Sequence, residues 1–430
     1  MIVVLGLGRE TRAWLARREP SADTTLVLDE AADGAAEPPA GVELHRVDLD
    51  DADAVLTLVG DRTVSGVVRS PGVSPYRPGP AALVARAPCA TPTGLWLAEH
   101  RPEDLVAVTG TKGKSTVAAL TAHLLRAAGR RTVLAGNIGV ALTTVDPDED
   151  RDDLVVELSS YQLADLTLPR PAAVAAVTTL FVDHVPWHGS VARYHADKLR
   201  LLELAEHRAV GAQVAASGLT DRFDTVAGAP TPAVVAALGR AGLHGAHQAD
   251  AAMLALHLVE RRLGPAAWDL VDALATFEPL PHRLRPVATV AGRTFVDDSI
   301  STVPEATLAA LATWRPRGPV TLLLGGDDRG QDVTALVDAL ADPGLHVALL
   351  PPFGTRVGAA LAAAGTSDLA GRVRAVDDLA EAVRWADRVT PRGGAVVLSP
   401  AAPSFGAFRD FAERGDTFAA LARALPEVGR

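Results

Sequence analysis

Cysteine occurs once in the 430 residues, at Cys89, which excludes an internal disulfide and a cysteine metal cage and fits a reducing compartment. It reads as a small buried hydrophobe. Basic residues are in deficit, 41 against 52 acidic for a formal charge of −11. That excludes a protein whose affinity comes from neutralising many nucleic-acid phosphates, although local anion sites stay compatible with it. No apolar run approaches the ~20 residues of a membrane span; the best, Ala172 to Val182, is too short and carries Thr178 and Thr179. No basic leader precedes the run Ile2 to Leu5, which therefore reads as a strand and not as the h-region of a signal peptide. A soluble, cytoplasmic protein is expected. The chain also has no short internal repeat and no low-complexity tail, and its 48% apolar content is ample for several cores.

What is present is a short apolar run, a Gly- or Pro-bearing turn and an amphipathic stretch of period near 3.6, repeated many times, the pattern of parallel α/β domains. Strands are expected at Ile2 to Leu5, Leu26 to Leu28, Leu105 to Thr109, Leu154 to Leu158, Ala172 to Thr178, Phe295 to Asp297, Val320 to Leu324, Val347 to Leu350 and Ala395 to Leu398. A helix is expected over Ser115 to Ala128, closed by Gly129, with Val117, Leu120, Leu124 and Ala128 on one face. Proline accumulates without periodicity around Ala87 to Pro92 and again across Pro279 to Pro286. Cutting there gives three segments, 1–94, 95–285 and 286–430.

The strongest local signal is Val108, Thr109, Gly110, Thr111, Lys112, Gly113, Lys114, Ser115, Thr116, between an expected strand and an expected helix. Glycines there let backbone N–H groups approach phosphate oxygens, Lys114 reaches the β/γ-phosphates and Ser115 offers a hydroxyl to Mg²⁺. Val108 stands where a generic P-loop has its first Gly, so an ordinary kinase or GTPase is not the natural reading. Glu157, at the end of the next strand, sits where a metal ligand belongs. His184 and Lys198 carry no signal in isolation. Gly6, Leu7, Gly8, Arg9, Glu10, Thr11 is an incomplete dinucleotide fingerprint, because Thr11 replaces the third Gly; Asp29 lies at the distance of a ribose-binding acid. Ser70-Pro71-Gly72 adds a second loop able to take a pyrophosphate, including that of a UDP-sugar. Three more loops, at Asp297 to Thr302, Gly325 to Gly330 and Ser399 to Gly406, follow expected strands on the binding edge of an open sheet.

Taken in order, Ser70-Pro71-Gly72, Thr109 to Thr116, Gly136-Asn137-Ile138-Gly139, Glu157 to Gln162, Asp183-His184, Lys198, Pro281-His282-Arg283, Asp298-Ser299 and Ser399-Pro400-Ala401 resemble the Mur ligase family along the whole chain. Within it, the resemblance is to the enzymes that add glutamate to UDP-N-acetylmuramoyl-L-alanine in peptidoglycan precursor synthesis. It implies a Rossmann-like N-terminal domain for the UDP moiety (1–94), a central P-loop parallel-sheet domain for ATP (95–285) and a Rossmann-like C-terminal domain for glutamate (286–430). It implies an acyl-phosphate intermediate and two Mg²⁺ ions, one at Ser115 and Glu157, the other at His184 and a carbamylated Lys198. Lys114, Lys198 and His184 are then the catalytic residues. Gly110, Thr111, Lys112, Gly113, Lys114, Ser115 and Thr116, with Arg283 and Asp298, contact ATP. Gly8, Ser70, Gly72 and Asn137 contact the UDP substrate. Ser299, Ser301, Thr302, Ser404 and Phe411 line the glutamate pocket.

Enzymes adding D-glutamate usually carry Lys after the Asp-Ser of the C-terminal loop, where this chain has Ile300. The run Asp298 to Pro304, with Gly325 to Gly330, Ala402 to Gly406, Gly6 to Glu10 and Trp96 to His100, resembles the subfamily that adds L-glutamate and works beside a separate epimerase. The alternative is the same ligation with D-glutamate. His247, Gln248, Ala249, Asp250, Ala251 departs from the family's His-Asn-x-x-Asn, so that Ala251 replaces the adenine-contacting Asn, and Arg329 stands where the D-glutamate enzymes often have Lys. A dinucleotide-dependent oxidoreductase accounts for Gly6, Gly8 and Asp29 but leaves the P-loop, Glu157 and His184 without purpose. The expected partners are the two small-molecule substrates, with no nucleic acid and no membrane, and the expected state is a monomer.

Overall fold

The computed structural model describes residues 1–17, 25–30, 42–99, 102–146, 150–219, 228–365 and 371–426. The repeated apolar runs assemble into three sheets. The first contains β1 (Ile2–Leu5), β2 (Thr25–Asp29), β3 (Val42–Arg46), β4 (Gly66–Arg69) and β5 (Cys89–Ala90), in the order β3-β2-β1-β4-β5 with every pairing parallel. The second contains β6 (Leu105–Thr109), β7 (Thr132–Gly136), β8 (Asp153–Glu157), β9 (Ala172–Val177) and β10 (Ala205–Val210), again all parallel, in the order β10-β9-β6-β8-β7. The third contains β11 (Arg285–Val290), β12 (Arg293–Asp297), β13 (Val320–Gly325), β14 (Leu345–Leu350), β15 (Val373–Ala375) and β16 (Ala395–Leu398), in the order β11-β12-β16-β13-β14-β15. Only β11, which turns back onto β12, runs antiparallel there.

Inner strands such as β6, β8 and β9 are buried along their whole length, as both faces are covered by helices. Because β6 lies between β8 and β9, the chain leaves it in opposite directions, and a crevice opens beyond the carboxyl ends of these three strands. That crevice receives the loop Gly110–Gly113, the end of β8 at Glu157, and Thr178. Among the described residues no helix is long and apolar enough to cross a membrane.

Met1–Ala237 and Ala249–Leu274 form one compact unit, holding the first two sheets; Leu238–Gln248 and Ala275–Arg430 form a second, holding the third. Within the first unit, Arg69, fully buried at the end of β4, is bound by Asp165 through two hydrogen bonds of 2.8 and 2.9 Å. It also donates to the carbonyls of Ser70, Val73 and Tyr161. Cys89 is half-buried and packs against the hydrophobic core of the first sheet, as expected, but its thiol also donates to Asp165 at 3.3 Å. Asp29 is likewise engaged, accepting from Arg46 at 2.6 Å. Trp96 is buried on the helix Pro92–Glu99, and His100 lies outside the described residues.

Candidate active site

The helix Lys114–Ala127 begins beyond Gly113, whose φ of 84° is left-handed and favours glycine. Gly110, at φ 147°, lies so close to Thr178 that a β-carbon would collide with the threonine hydroxyl and the Thr179 backbone. The loop is held from the other side by Thr178 and Thr179, whose hydroxyls donate to the Lys112 carbonyl at 2.5 and 3.1 Å, and by Lys112 N–H donating to Thr179 Oγ1 at 2.8 Å. Lys114 Nζ donates to the Thr111 carbonyl at 3.1 Å and Lys112 Nζ lies 3.6 Å from Asp183. Ser115 and Thr116 are buried in the first turn.

One cavity gathers residues from five segments. Gly110 and Thr111 come from the loop with Lys114 at the start of its helix, Asn137 from beyond β7, and Glu157 from the end of β8 with Ser159, Ser160 and Tyr161 beyond it. His184 enters from the turn past β9, and Tyr194 and Lys198 from the helix Val191–Glu203. Glu157 is 4% exposed and its Oε2 has no hydrogen-bond partner in the protein. A buried carboxylate oxygen without a donor is costly, and its presence beside a phosphate-binding loop fits a bound divalent cation. Among the described residues no three His, Cys, Asp or Glu side chains gather into a cage, so such a cation would take its other ligands from hydroxyls and substrate oxygens.

His184 sits at φ 51°, and its Nδ1 meets the Tyr161 hydroxyl at 2.9 Å; burial lowers its pKa. Lys198 is 2% exposed, with no carboxylate at ion-pair distance among the described residues and its Nζ 5.1 Å from the centre of the Tyr194 ring. Burial first, and the charge of Lys114 second, push its pKa well below that of an ordinary lysine. At the first sheet, Gly8 packs against the Ser70 side chain so closely that an added β-carbon would force the Ser70 hydroxyl to move, and the Gly72 carbonyl accepts from Trp187 Nε1 at 3.0 Å.

The second unit assembles its own loop cluster. Asp298 is buried and accepts from Ser301 Oγ at 2.6 Å, Ser399 Oγ at 2.7 Å and Leu284 N–H at 3.2 Å; burial nonetheless raises its pKa to about 7, with Arg283 opposing. The Ser299 hydroxyl donates to the Phe411 carbonyl at 2.7 Å and accepts from Arg414 Nε at 3.0 Å. Ser299 thus uses its hydroxyl on the helix Phe411–Arg423, and Ser301 uses its own within the loop. Thr302 is partly exposed, Ser404 is buried, and Phe411 is 37% exposed, its ring edge-on to His282. Arg414, buried and without a carboxylate at ion-pair distance among the described residues, also donates to the carbonyls of Ser299 and Ala402 at 2.8 and 3.0 Å.

Ser159, Ser160, Tyr161 and Tyr194 of the cavity, and Arg414 of the second unit, escaped the sequence reading. Tyr194 precedes Lys198 by one helical turn, and that spacing was the available signal. Ser160 was visible only as part of a motif. Arg414 lies on the buried stripe of Gly415, Phe418 and Ala422, which the 3.6 period would have placed inward.

A phosphate-binding loop, a partnerless carboxylate and a buried amine in one crevice mark the site of a nucleotide-using enzyme. Residues 108–223 match the Mur ligase middle domain and residues 282–402 the Mur ligase glutamate ligase domain. The chain belongs to the Mur ligase family of amide-bond-forming enzymes. Proteins named UDP-N-acetylmuramoyl-L-alanine--L-glutamate ligase in Micromonospora sp. and Salinispora tropica are each 39% identical to it over 98% of this chain, covering 96% and 97% of theirs. One of the same name in Xanthomonas axonopodis pv. citri is 40% identical over 86% of each chain. A MurF ligase of Thermotoga maritima solved with ADP shares the fold at TM-score 0.58 and 14% identity, over 98% of this chain and 93% of that one. So does the UDP-N-acetylmuramate-alanine ligase MurC of the same organism, at TM-score 0.56 and 15% identity, over 98% and 99%.

Proposed function

We propose that this protein joins L-glutamate to UDP-N-acetylmuramoyl-L-alanine, driven by ATP, in peptidoglycan precursor synthesis. The alanyl carboxylate attacks the γ-phosphorus of ATP, giving an acyl phosphate and ADP. The glutamate amine then attacks the acyl carbon, the C–O bond to phosphate breaks, and amide, phosphate and a proton result. Such phosphoryl transfer depends mainly on positioning and on neutralising crowded negative charge. The observation that carries the reading is the single cavity holding Lys114 of the phosphate loop, partnerless Glu157 and buried Lys198.

Gly110 to Thr116 cradle the phosphates. Ser115 and Glu157 would hold one Mg²⁺, and His184 with Lys198 a second; such ions polarise phosphoryl oxygens and offset their charge. An uncharged Lys198 amine is the form that adds CO₂, so burial favours a carbamate there. Asn137, Gly8, Ser70 and Gly72 serve the UDP substrate, and Arg283 and Asp298 serve ATP. Ser299 and Ser301 hold the loop that carries Thr302, which forms the glutamate pocket with Ser404 and Phe411. The functional division is 1–94 for the UDP moiety, 95–285 for ATP and 286–430 for glutamate. The setting is the cytoplasm, and the protein acts as a monomer whose product a separate epimerase inverts.

L-glutamate is favoured by Ile300, which supplies no charge where the D-glutamate enzymes usually carry Lys, and by the names of the relatives. The test is product analysis: ADP release requiring both the UDP substrate and an amino acid, with a product heavier by one glutamyl residue in the mass spectrum. ADP release without that product would count against the proposal.

A further inference from the structure

The cavity wall contains a hydrogen-bonded chain that the reaction as described does not use. Ser160, 2% exposed, places its Oγ 3.0 Å from His188 Nε2. The other ring nitrogen, Nδ1, lies 2.6 Å from Asp197 Oδ2. Asp197 Oδ1 accepts in turn from the Tyr76 hydroxyl at 2.6 Å. His188 is fully buried, and its short helix Val185–His188 is fastened to the loop after β4, where Ser74 Oγ donates to the Trp187 carbonyl at 2.6 Å.

With the His188 ring neutral, donor and acceptor chemistry sets the direction of this chain. A carboxylate only accepts, so the proton facing Asp197 is on Nδ1, which in the neutral ring leaves Nε2 as an acceptor. Ser160 then donates its only proton to Nε2, and its oxygen lone pairs are what it offers to the cavity. The neighbouring groups, Lys114, Lys198 and the loop amides, suit ligand atoms that accept. Of the groups that react, the attacking amine is the one that donates.

We propose that Ser160 accepts an N–H of the incoming amino acid and thereby aims its nitrogen lone pair at the acyl carbon, with His188, Asp197 and Tyr76 as positioning residues that lock the Ser160 hydroxyl. This rests on the ligase reading above. Only the second half-reaction needs the contact; formation of the acyl phosphate precedes the amine.

The test compares the half-reactions in Ser160→Ala, His188→Gln, Tyr76→Phe and the double variant Ser160→Ala/His188→Gln. Acyl-phosphate formation is read without glutamate, as positional exchange of ¹⁸O in labelled ATP in the presence of the UDP substrate, and amide formation as product in the presence of glutamate. The expected result for Ser160→Ala is exchange at the wild-type rate with amide formation slowed about tenfold, the loss of one oriented hydrogen bond. His188→Gln should do the same, Tyr76→Phe less so, and the double variant should be no slower than Ser160→Ala, because the residues act through one hydroxyl. Unchanged amide formation in Ser160→Ala, equal slowing of both half-reactions, or additive effects would overturn the proposal. Wild-type exchange separates these outcomes from failure of the ligase reading itself, which would show as neither exchange nor product in the unaltered enzyme.

Discussion

Lys198 follows Tyr194 by one helical turn, and its amine lies 5.1 Å from the centre of the phenol ring, with no carboxylate at ion-pair distance among the described residues. Burial and the Lys114 charge favour the uncharged amine, the form able to add CO₂, so the proposed carbamate is expected at a pH where an ordinary lysine stays charged. Replacing it by alanine removes the arm on which a carboxylate would form. Lys198→Ala is expected to lower phosphate release at least ~100-fold, on the scale of losing a catalytic charge. A short-chain carboxylic acid in the buffer should restore part of it; no rescue in a folded variant would speak against the carbamate.

Glu157 gives a prediction in which activity and stability move apart. Its buried Oε2 has no donor in the protein, so the charge destabilises the ligand-free fold. Glu157→Gln should therefore keep or raise the melting temperature while reducing phosphate release about 100-fold or more, with a higher Mg²⁺ requirement. A variant that loses stability and keeps activity would show the carboxylate to be structural.

The seam between the first two sheets rests on a buried ion pair. Arg69 has no exposed surface, and Asp165 is its carboxylate partner, bound through two hydrogen bonds. Asp165→Asn leaves that guanidinium charge uncompensated and should cost about 3–5 kcal/mol in denaturant unfolding. The loop Ser70–Val73, whose carbonyls Arg69 also holds, should lose order with it, which amide exchange would detect.

Asp298 makes the stability of the second unit depend on pH. Its pKa is about 7 when folded against 3.8 as an ordinary side chain, because burial outweighs the donors from Ser301, Ser399 and Leu284. The folded form therefore holds a proton that the unfolded chain releases. The stabilisation is complete below about pH 4 and is lost as the pH rises towards 7, a change of roughly 4 kcal/mol. Asp298→Asn removes the titrating group, so its melting temperature relative to the unaltered protein should rise between pH 5 and pH 8. A constant difference would contradict the burial argument.

The sequence was legible where strands are covered on both faces. β1, β2, β6, β8, β9, β12, β13, β14 and β16, all expected, are inner strands whose side chains are almost entirely apolar or small. The six edge strands β3, β5, β7, β10, β11 and β15 escaped, since an edge needs no second apolar face: Glu43 and His45 alternate along β3, and Pro286 sits in β11. β4 is the one inner strand missed, its apolar run cut to Val67 and Val68 between Gly66 and Arg69. At the site, the phosphate loop and Glu157 were readable because strand, glycine and carboxylate are neighbours along the chain. The Ser160, His188, Asp197 and Tyr76 chain was not, because its order exists only after the fold brings together the segments that follow β4, β8 and β9.

The most direct measurement of the central claim is phosphate release by the purified protein with ATP, Mg²⁺ and UDP-N-acetylmuramoyl-L-alanine, with L-glutamate in one reaction and D-glutamate in a second. Release with L-glutamate alone is the predicted result, and it would make the uncharged Ile300 part of the explanation of the choice. Release with D-glutamate alone would contradict the assignment of the isomer, and none with either would contradict the ligation itself.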